Sequence, residues 1–418
     1  MAISTLSSVT LSNVVPDSMA EQLALLMRGT EFGDARLRAT MEQELAERLS
    51  ESQRTSRPLR VYLGVDPTSN DLHLGHTVPL QKLRQFQDLG HQVIFLIGSF
   101  TGLIGDPSDK DKARVQQTRA QVMAHAQTYV AQVARVLDPA RMLVEYNDRW
   151  LAPLTFEQVM ELASRFTVQQ FLTRDNFAKR FAANDPIWLH EFFYTLMQAY
   201  DAVALRTDVQ IGGTEQLFNL MAGRKLMEAQ GMRPQVCLTL PILVGTDGHE
   251  RMSKSTGNTI GIAEPPEVQY GKVMSIPDAA MHSYFELVTR CPSDEIAVLF
   301  AGLEAGRLHP RDVKMRLARE IVTLYHGAEA AQGAEGHFRA VFQARDLPPE
   351  MPTFTLAGST DIVTLLVEAK LAPTKSAARR LVEQGGVRLD GEVVTEIEMI
   401  VEPRGQVLQV GRRQFVRL

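Results

Sequence analysis

Leu59-Arg60-Val61-Tyr62-Leu63-Gly64-Val65, followed by Asp71-Leu72-His73-Leu74-Gly75-His76, is the stretch whose reading decides the fold. The first run is short and apolar, as a buried strand is. Val78, Leu80, Leu83, Phe86 and Leu89 then recur near the helical spacing, Gly90 suits a helix end, and Val93 to Ile97 is a second apolar run. Strand, helix, strand within that length is a βαβ unit, which predicts an α/β fold with a parallel sheet covered by helices. Met142 to Tyr146, Asp208 to Ile211 and Val236 to Leu243 are further strand candidates. Ligands of such sheets lie beyond the carboxyl ends of the strands, so the residues after Gly64 and after Ile211 are expected to converge.

Outward from this core, the pattern from about Pro265 to Ala344 turns helical, with candidates Ile296 to Ala305 and Asp312 to Tyr325. Leu347-Pro348-Pro349-Glu350-Met351-Pro352 breaks the periodicity and reads as a linker. Beyond it, Thr374 to Gln384 is a helix candidate, Gly385-Gly386 a turn, and Val387 to Glu392 a hairpin. The expected organisation is therefore a catalytic α/β domain over 1–262, a helical domain over 263–345, a linker over 346–354 and a small α+β domain over 355–418.

Composition bounds the function. With 418 residues the chain is long enough for several domains, and its net charge of −5 argues against indiscriminate coating of nucleic acid while allowing a local basic surface. Cys237 and Cys291 are far apart and belong to no C-x-x-C pair, which disfavours a disulfide framework or a cysteine zinc site. Met1 to Ser18 lacks the basic opening of a secretory signal, and no apolar run approaches the roughly 18 residues of a membrane helix. A soluble cytoplasmic protein is expected.

His73 and His76 share one face at the opening of a helix, where free backbone N–H groups attract phosphate and imidazole N–H donors can meet its charge. Gly75 between them lets a flat base approach the backbone. A His-x-x-His pair also occurs as a surface pair or part of a metal site, although no third ligand stands at fitting spacing. There is no G-x-x-x-x-G-K-[ST] loop, so ATP would be held another way. Arg251-Met252-Ser253-Lys254-Ser255, in a glycine-rich loop after the last strand candidate, supplies mobile cations that can close on a leaving pyrophosphate. Alone it would read as an exposed charged loop; with His73 and His76 it completes an ATP-activating site.

These two motifs resemble the HIGH and KMSKS signatures of the class I aminoacyl-tRNA synthetases. Within that class, the chain resembles the bacterial tyrosyl-tRNA synthetases over nearly its whole length. Tyr62-Leu63-Gly64-Val65-Asp66-Pro67-Thr68, Thr101 to Pro107, Tyr194 to Asp201 and Gln210-Ile211-Gly212-Gly213 add to the resemblance. Ala372 to Val394, above all Ala378 to Val387, is similar to an S4 RNA-binding domain. The resemblance implies a Rossmann-like catalytic domain, a helical anticodon-binding domain and an S4-like domain. It further implies tyrosine–tRNA ligase activity: tyrosine is activated with ATP and then transferred to the terminal ribose of tRNA(Tyr).

For individual residues, it implies that Tyr62 and Asp201 hydrogen-bond the substrate phenol, that Asp106, Tyr194 and Gln198 hold its ammonium group, and that Gln216 lies near its carboxylate. Gly64, Asp66, Gly75, Gly213 and Glu215 would line the nucleotide, with Thr68, His73, His76, Arg251 and Lys254 facing phosphates. No tightly bound cofactor or dedicated metal site is implied, Mg²⁺ accompanying ATP, and the family's homodimeric state is carried over. Lys375, Arg379 and Arg380 would meet tRNA phosphates in a salt-dependent way. Read without the resemblance, Tyr194 and Tyr200 are core aromatics, Asp106 and Asp201 are caps, and the three basic residues are a solvated face.

No covalent intermediate or strong general base is needed, because the substrate carboxylate is already ionised. Catalysis can come from positioning and from charge stabilisation on the phosphates. The chain departs from the family pattern in three places. Glu215 stands in place of aspartate, Arg251 in place of the first lysine of KMSKS, and Pro79 is expected near the first turn of its helix, where its missing N–H would have no partner. Competing functions are a tryptophanyl enzyme, a nucleotidyltransferase with another acceptor, and a non-catalytic RNA-binding protein on the same scaffold. Tyr62 with Asp201 favours tyrosine, the downstream RNA-binding regions disfavour a small nucleotidyltransferase, and the intact His73, His76, Lys254 and Asp201 disfavour a scaffold alone.

Overall fold

The computed structural model describes residues 16, 18–67, 72–108, 117–342, 351–354, 358–402, 405–411 and 414–418. They fall into two compact units, Met1–Gln332 and Gly333–Leu418.

Five strands form the sheet of the first unit: β1 (Arg60–Val65), β2 (Gln92–Ile97), β3 (Met142–Tyr146), β4 (Val209–Gly213) and β5 (Val236–Leu240). Their order is β3-β2-β1-β4-β5 and every pairing is parallel. Helices cover both faces, which is why β2 and β5 are apolar runs rather than alternating ones. The chain winds outward from β1 through β2 to β3, then returns to place β4 on the other side of β1. The carboxyl ends of β1 and β4 therefore flank the point where the winding reverses, the place such sheets offer to ligands.

Two strand ends differ from the sequence expectation. Asp208 precedes β4, and its buried carboxylate accepts from Arg48 at 2.7 Å, from Arg57 at 2.9 and 3.1 Å, and from the Arg60 N–H at 2.9 Å. This cluster fastens the start of β4 to the start of β1. The last strand stops at Leu240 rather than Leu243 because Pro241 has no N–H for the ladder.

Helix Leu74–Asp88 connects β1 to β2. Helices Leu189–Leu205 and Leu217–Ala229 close the core over Tyr62, Ile94 and Leu96 with Ala199, Ala202 and Leu226. From 266 onward come helices Pro266–Ser275, Met281–Val288, Ser293–Glu304, Pro310–His326 and Ala328–Phe342, in the region whose pattern reads as helical. Cys237 and Cys291 are free and buried.

In the second unit, helices Ile362–Glu368 and Lys375–Glu383 pack with an antiparallel sheet of Gln414–Arg417, Val407–Val410, Val387–Leu389 and Glu392–Val393. Leu365, Leu366, Ala378, Val382, Val387 and Leu408 form its core. The expected hairpin turns at Asp390-Gly391 with φ of +48° and +87°, the left-handed pair that a two-residue hairpin turn requires. Most of the proposed linker, residues 346–350, lies outside the described residues.

Candidate active site

A cleft of about 750 Å³ opens at the carboxyl ends of β1 and β4, lined among others by Asp66, His73, His76, Gly213, Arg251 and Lys254. A narrower pocket leads from it under β1 to Tyr62, Gln198 and Asp201; the two share Gly64, Val65, Asp66, Tyr194 and Gln216.

His73 caps helix Leu74–Asp88 from the position just before it, and its N–H donates to His76 Nδ1 at 3.3 Å. The two rings lie 3.8 Å apart. Because His76 Nδ1 accepts, the proton of the neutral ring sits on Nε2. Burial pushes His73 down to about 3, with His76 and Lys254 adding to it, and pushes His76 down to about 4, with Lys254 adding. Both imidazoles are thus neutral at neutral pH, able to donate a hydrogen bond but carrying no charge.

The helix start is less open than its sequence implies. The Leu74 N–H donates to the Ile260 carbonyl at 2.9 Å and the His76 N–H to the His73 carbonyl at 2.9 Å, so fewer backbone donors remain for phosphate. Pro79 falls in the second turn, not near the first as its sequence position was expected to place it. There its missing N–H deprives the Gly75 carbonyl of a helical partner. A Cβ on Gly75 would meet the His73 ring at 3.1 Å and Met252 Cβ at 3.5 Å, so glycine keeps this wall of the cleft flat. Among the described residues no group of three metal-ligating side chains joins the histidine pair.

The Arg251–Ser255 loop is built on a short hairpin in which Val244 bridges Arg251 and the Met252 N–H donates to the Leu243 carbonyl at 2.9 Å. Buried Asn258 holds its shape. Its Oδ1 accepts from the Ser253 N–H at 2.8 Å and from Thr256 at 2.7 Å, while its Nδ2 donates to Asp247 at 2.5 Å and to the Arg251 carbonyl at 3.1 Å. The returning chain bridges at Gly261 to His73, so the two motifs are physically joined. Arg251 and Lys254 are exposed on this loop.

Deeper in, Asp66 accepts from Thr101 Oγ1 at 2.8 Å and from the Tyr194 hydroxyl at 2.9 Å. Asp106 accepts from the Ser108 N–H at 2.8 Å and from Gln216 Nε2 at 3.2 Å, and Gln216 Oε1 accepts from the Gly213 N–H at 3.0 Å. Asp201 accepts from Trp150 Nε1 at 2.7 Å and Asn147 Nδ2 at 3.2 Å. Burial nevertheless pushes its carboxyl up to about 8, against those two donors and with Asp66 adding to the rise. Burial also raises the Tyr62 phenol well above its ordinary value, with Asp201 adding to it. The Tyr62 hydroxyl and Gln198 Oε1 are buried without a hydrogen bond of ordinary geometry, and both residues line this narrow pocket.

Glu215 is exposed at the cleft with its carboxylate folded over Gly213, where a Cβ would clash at 2.2 Å. Thr68 lies outside the described residues. In the second unit, Lys375, Arg379 and Arg380 are all exposed on the helix whose other face buries Ala378 and Val382. Sequence reasoning missed Asn147, Trp150 and Thr101 as supports of the two carboxylates. Thr101 stands in a quoted motif and carried the only local signal.

The tRNA synthetases class I (W and Y) family matches residues 53–343, and the S4 domain family matches residues 362–407. The chain is 54% identical over 402 residues to the tyrosine–tRNA ligase of Moorella thermoacetica, covering 96% of each. It is 49% identical over 378 residues to that of Thermotoga maritima, covering 90% of this chain and 93% of the relative. Among solved structures, a C-terminally truncated mitochondrial tyrosyl-tRNA synthetase of Aspergillus nidulans matches with a TM-score of 0.62 at 23% identity. That match covers 78% of this chain and 95% of the other and shows the shared fold.

Proposed function

The chain belongs to the class I tRNA synthetase family of the tryptophan and tyrosine enzymes, and from that premise we propose that it is a tyrosine–tRNA ligase. It activates L-tyrosine with ATP to tyrosyl-adenylate and pyrophosphate, then transfers tyrosine to the terminal ribose of tRNA(Tyr), releasing AMP. The observation that carries the tyrosine reading is the narrow pocket ending at Tyr62 and Asp201, which opens into the cleft bearing His73 and His76. A phenol hydroxyl both donates and accepts, and a site with polar groups buried for it discriminates strongly against a ligand lacking it.

In this reading Asp106, Tyr194 and Gln198 hold the ammonium group, and Gln216 stands near the carboxylate. The carboxylate oxygen attacks the α-phosphorus in line with the departing pyrophosphate. Rate comes from alignment and from donors aimed at the developing charge: the neutral imidazoles of His73 and His76, then Thr68, Arg251 and Lys254. Gly64, Asp66, Gly75, Gly213 and Glu215 line the nucleotide, and Mg²⁺ arrives with the ATP phosphates. In the second step the ribose hydroxyl attacks the acyl carbon and AMP leaves.

The helical region 263–345 serves the anticodon side of the tRNA, and the S4 domain within 355–418 adds phosphate contacts from Lys375, Arg379 and Arg380. A homodimer is supported by the exposed Phe156, Met160, Val168, Phe181, Trp188 and Leu189, apolar side chains concentrated within one stretch of the first unit. Work in the cytoplasm fits this role, and among the described residues no helix is long and apolar enough to cross a membrane.

The test is tyrosine-dependent exchange of labelled pyrophosphate into ATP, beside phenylalanine and tryptophan and repeated with Asp201→Ala. Exchange with tyrosine alone, lost in the variant, is expected. Strong exchange with tryptophan would move the substrate, and none with any amino acid would remove the activity.

A further inference from the structure

Arg174 is a buried cation behind the amino-acid pocket, at the start of helix Asp175–Ala182. Its Nη2 donates to Ser108 Oγ at 2.5 Å and its Nη1 to Thr195 Oγ1 at 3.3 Å. The guanidinium carbon lies 5.4 Å from the centre of the Phe177 ring and 5.1 Å from that of Phe218, which hold the group from its sides. Thr195 Oγ1 donates in turn to Asn219 Oδ1 at 2.9 Å, and Asn219 Nδ2 reaches Ser108 Oγ at 3.5 Å. Ser108, Thr195 and Asn219 are all buried.

The placement of these partners gives the network its meaning. Ser108 donates its own N–H to Asp106, Thr195 follows Tyr194 on helix Leu189–Leu205, and Asn219 lies one helical turn beyond Gln216, which also donates to Asp106. One guanidinium thus braces from behind the three segments that present Asp106, Tyr194 and Gln216. Asn176 adds a tie to the same turn, donating to the Pro107 carbonyl at 2.8 Å.

A fold does not need a cation there. Among the described residues the hydrogen-bond acceptors of Arg174 are neutral hydroxyls, so its desolvation is not offset by a direct ion pair. Burial lowers its affinity for its proton, and the leading effect in the other direction is the charge of Asp106. An apolar side chain between Phe177 and Phe218 would pack at lower cost, which leaves the fork geometry and the charge to be explained by what they hold.

We propose that Arg174 is a positioning residue for the amino-acid substrate: through Ser108 and Thr195 it fixes Asp106 and Tyr194 and thereby sets the enzyme's affinity for the substrate ammonium group. The proposal rests on the reading of Asp106 as the ammonium acceptor.

The experiment compares binding of L-tyrosine with that of 3-(4-hydroxyphenyl)propionate, the same molecule without its ammonium group, to full-length wild type, Arg174→Met, Arg174→Lys and Asp106→Asn. Arg174→Met is expected to weaken tyrosine by about 10-fold or more while leaving the desamino acid within about 2-fold, and Arg174→Lys to recover part of the loss. A loss equal for both ligands, or no loss for either, would overturn the proposal. If Asp106→Asn is itself unselective, the ammonium reading fails and the proposal with it. If Asp106→Asn is selective and Arg174→Met is not, the proposal alone fails. Should Arg174→Met not fold, Ser108→Ala carries the same comparison, and an unselective result there overturns the proposal equally.

Discussion

Asp201 and Asp66 are joined by a chain of two side chains: Asn147 Nδ2 donates to Asp201 at 3.2 Å and to Thr101 Oγ1 at 3.0 Å, and Thr101 donates to Asp66 at 2.8 Å. The Asn147 amide cannot reverse, because its Oδ1 accepts from the Phe100 N–H at 2.8 Å. The two acids therefore share one oriented network, in which burial and the charge of Asp66 raise the cost of ionising Asp201.

That cost gives Asp201→Asn a pH-dependent effect on stability. The folded carboxyl stands at about 8 against 3.8 for the ordinary group, so between those values the native protein holds a proton that the unfolded chain has lost. Stability from this residue is present below about 4 and falls as pH rises towards 8, by at most about 1.4 kcal/mol per pH unit. Asp201→Asn should unfold at higher urea than wild type by a margin that widens from pH 5 to 8, read by tryptophan fluorescence. A constant margin would mean that the carboxyl ionises freely in the pocket. Tyrosine-dependent exchange should nonetheless collapse in the variant.

His73 and His76 give the opposite sign. Their folded values, about 3 and about 4, lie below the ordinary 6.5, so the unfolded chain takes up protons first. Stability is fully present above 6.5 and falls as pH drops through 6 and 5. Replacing both with asparagine should flatten this acid limb by up to about 1.4 kcal/mol per pH unit per histidine in the same titration. An unchanged limb would place the acid sensitivity elsewhere.

The βαβ core, the five strands and the placement of the two motifs at strand ends were legible because each rests on local runs such as Val93–Ile97 and on helical spacing from Val78 to Leu89. What was not legible depends on partners far apart in sequence. Trp150 and Asn147 reach Asp201 across about fifty residues, and nothing in the neighbourhood of either marks it as a support. Asp208 reads as a strand residue until Arg48 and Arg57 are seen converging on it. The Leu74 amide looks like an open helix start until Ile260, from the far side of the second motif, takes it.

Tyr284 ties the Arg251–Ser255 loop to the helices that follow it. Its hydroxyl donates to the Val244 carbonyl at 2.8 Å, at the stem of the hairpin, and Gly248 at the hairpin tip abuts Pro277. Gln269 Nε2 donates at 2.8 Å to the Gly261 carbonyl, where the returning chain meets His73. Tyr284→Phe leaves the Val244 acceptor without this donor, a cost of about 1–3 kcal/mol. Exchange turnover should drop by about 10-fold while tyrosine dissociation, measured by equilibrium dialysis without ATP, stays at the wild-type value. Equal losses in both would mean that the substitution damages the whole unit rather than the loop.

Arg379 and Arg380 should affect tRNA binding without affecting amino-acid activation. Both are exposed on helix Lys375–Glu383, which is anchored from its other face by Ala378 and Val382, so truncating them leaves the core of the second unit intact. A cation on a phosphate acts largely by releasing counterions, and each lost contact lowers the slope of log affinity against log salt by about 0.7–0.9. Arg379→Ala with Arg380→Ala should therefore weaken tRNA binding most at low salt and lower that slope by about 1.5, with tyrosine-dependent pyrophosphate exchange unchanged. A slope equal to that of wild type would show that this helix face is solvated in the complex and that the phosphate contacts of the second unit lie elsewhere.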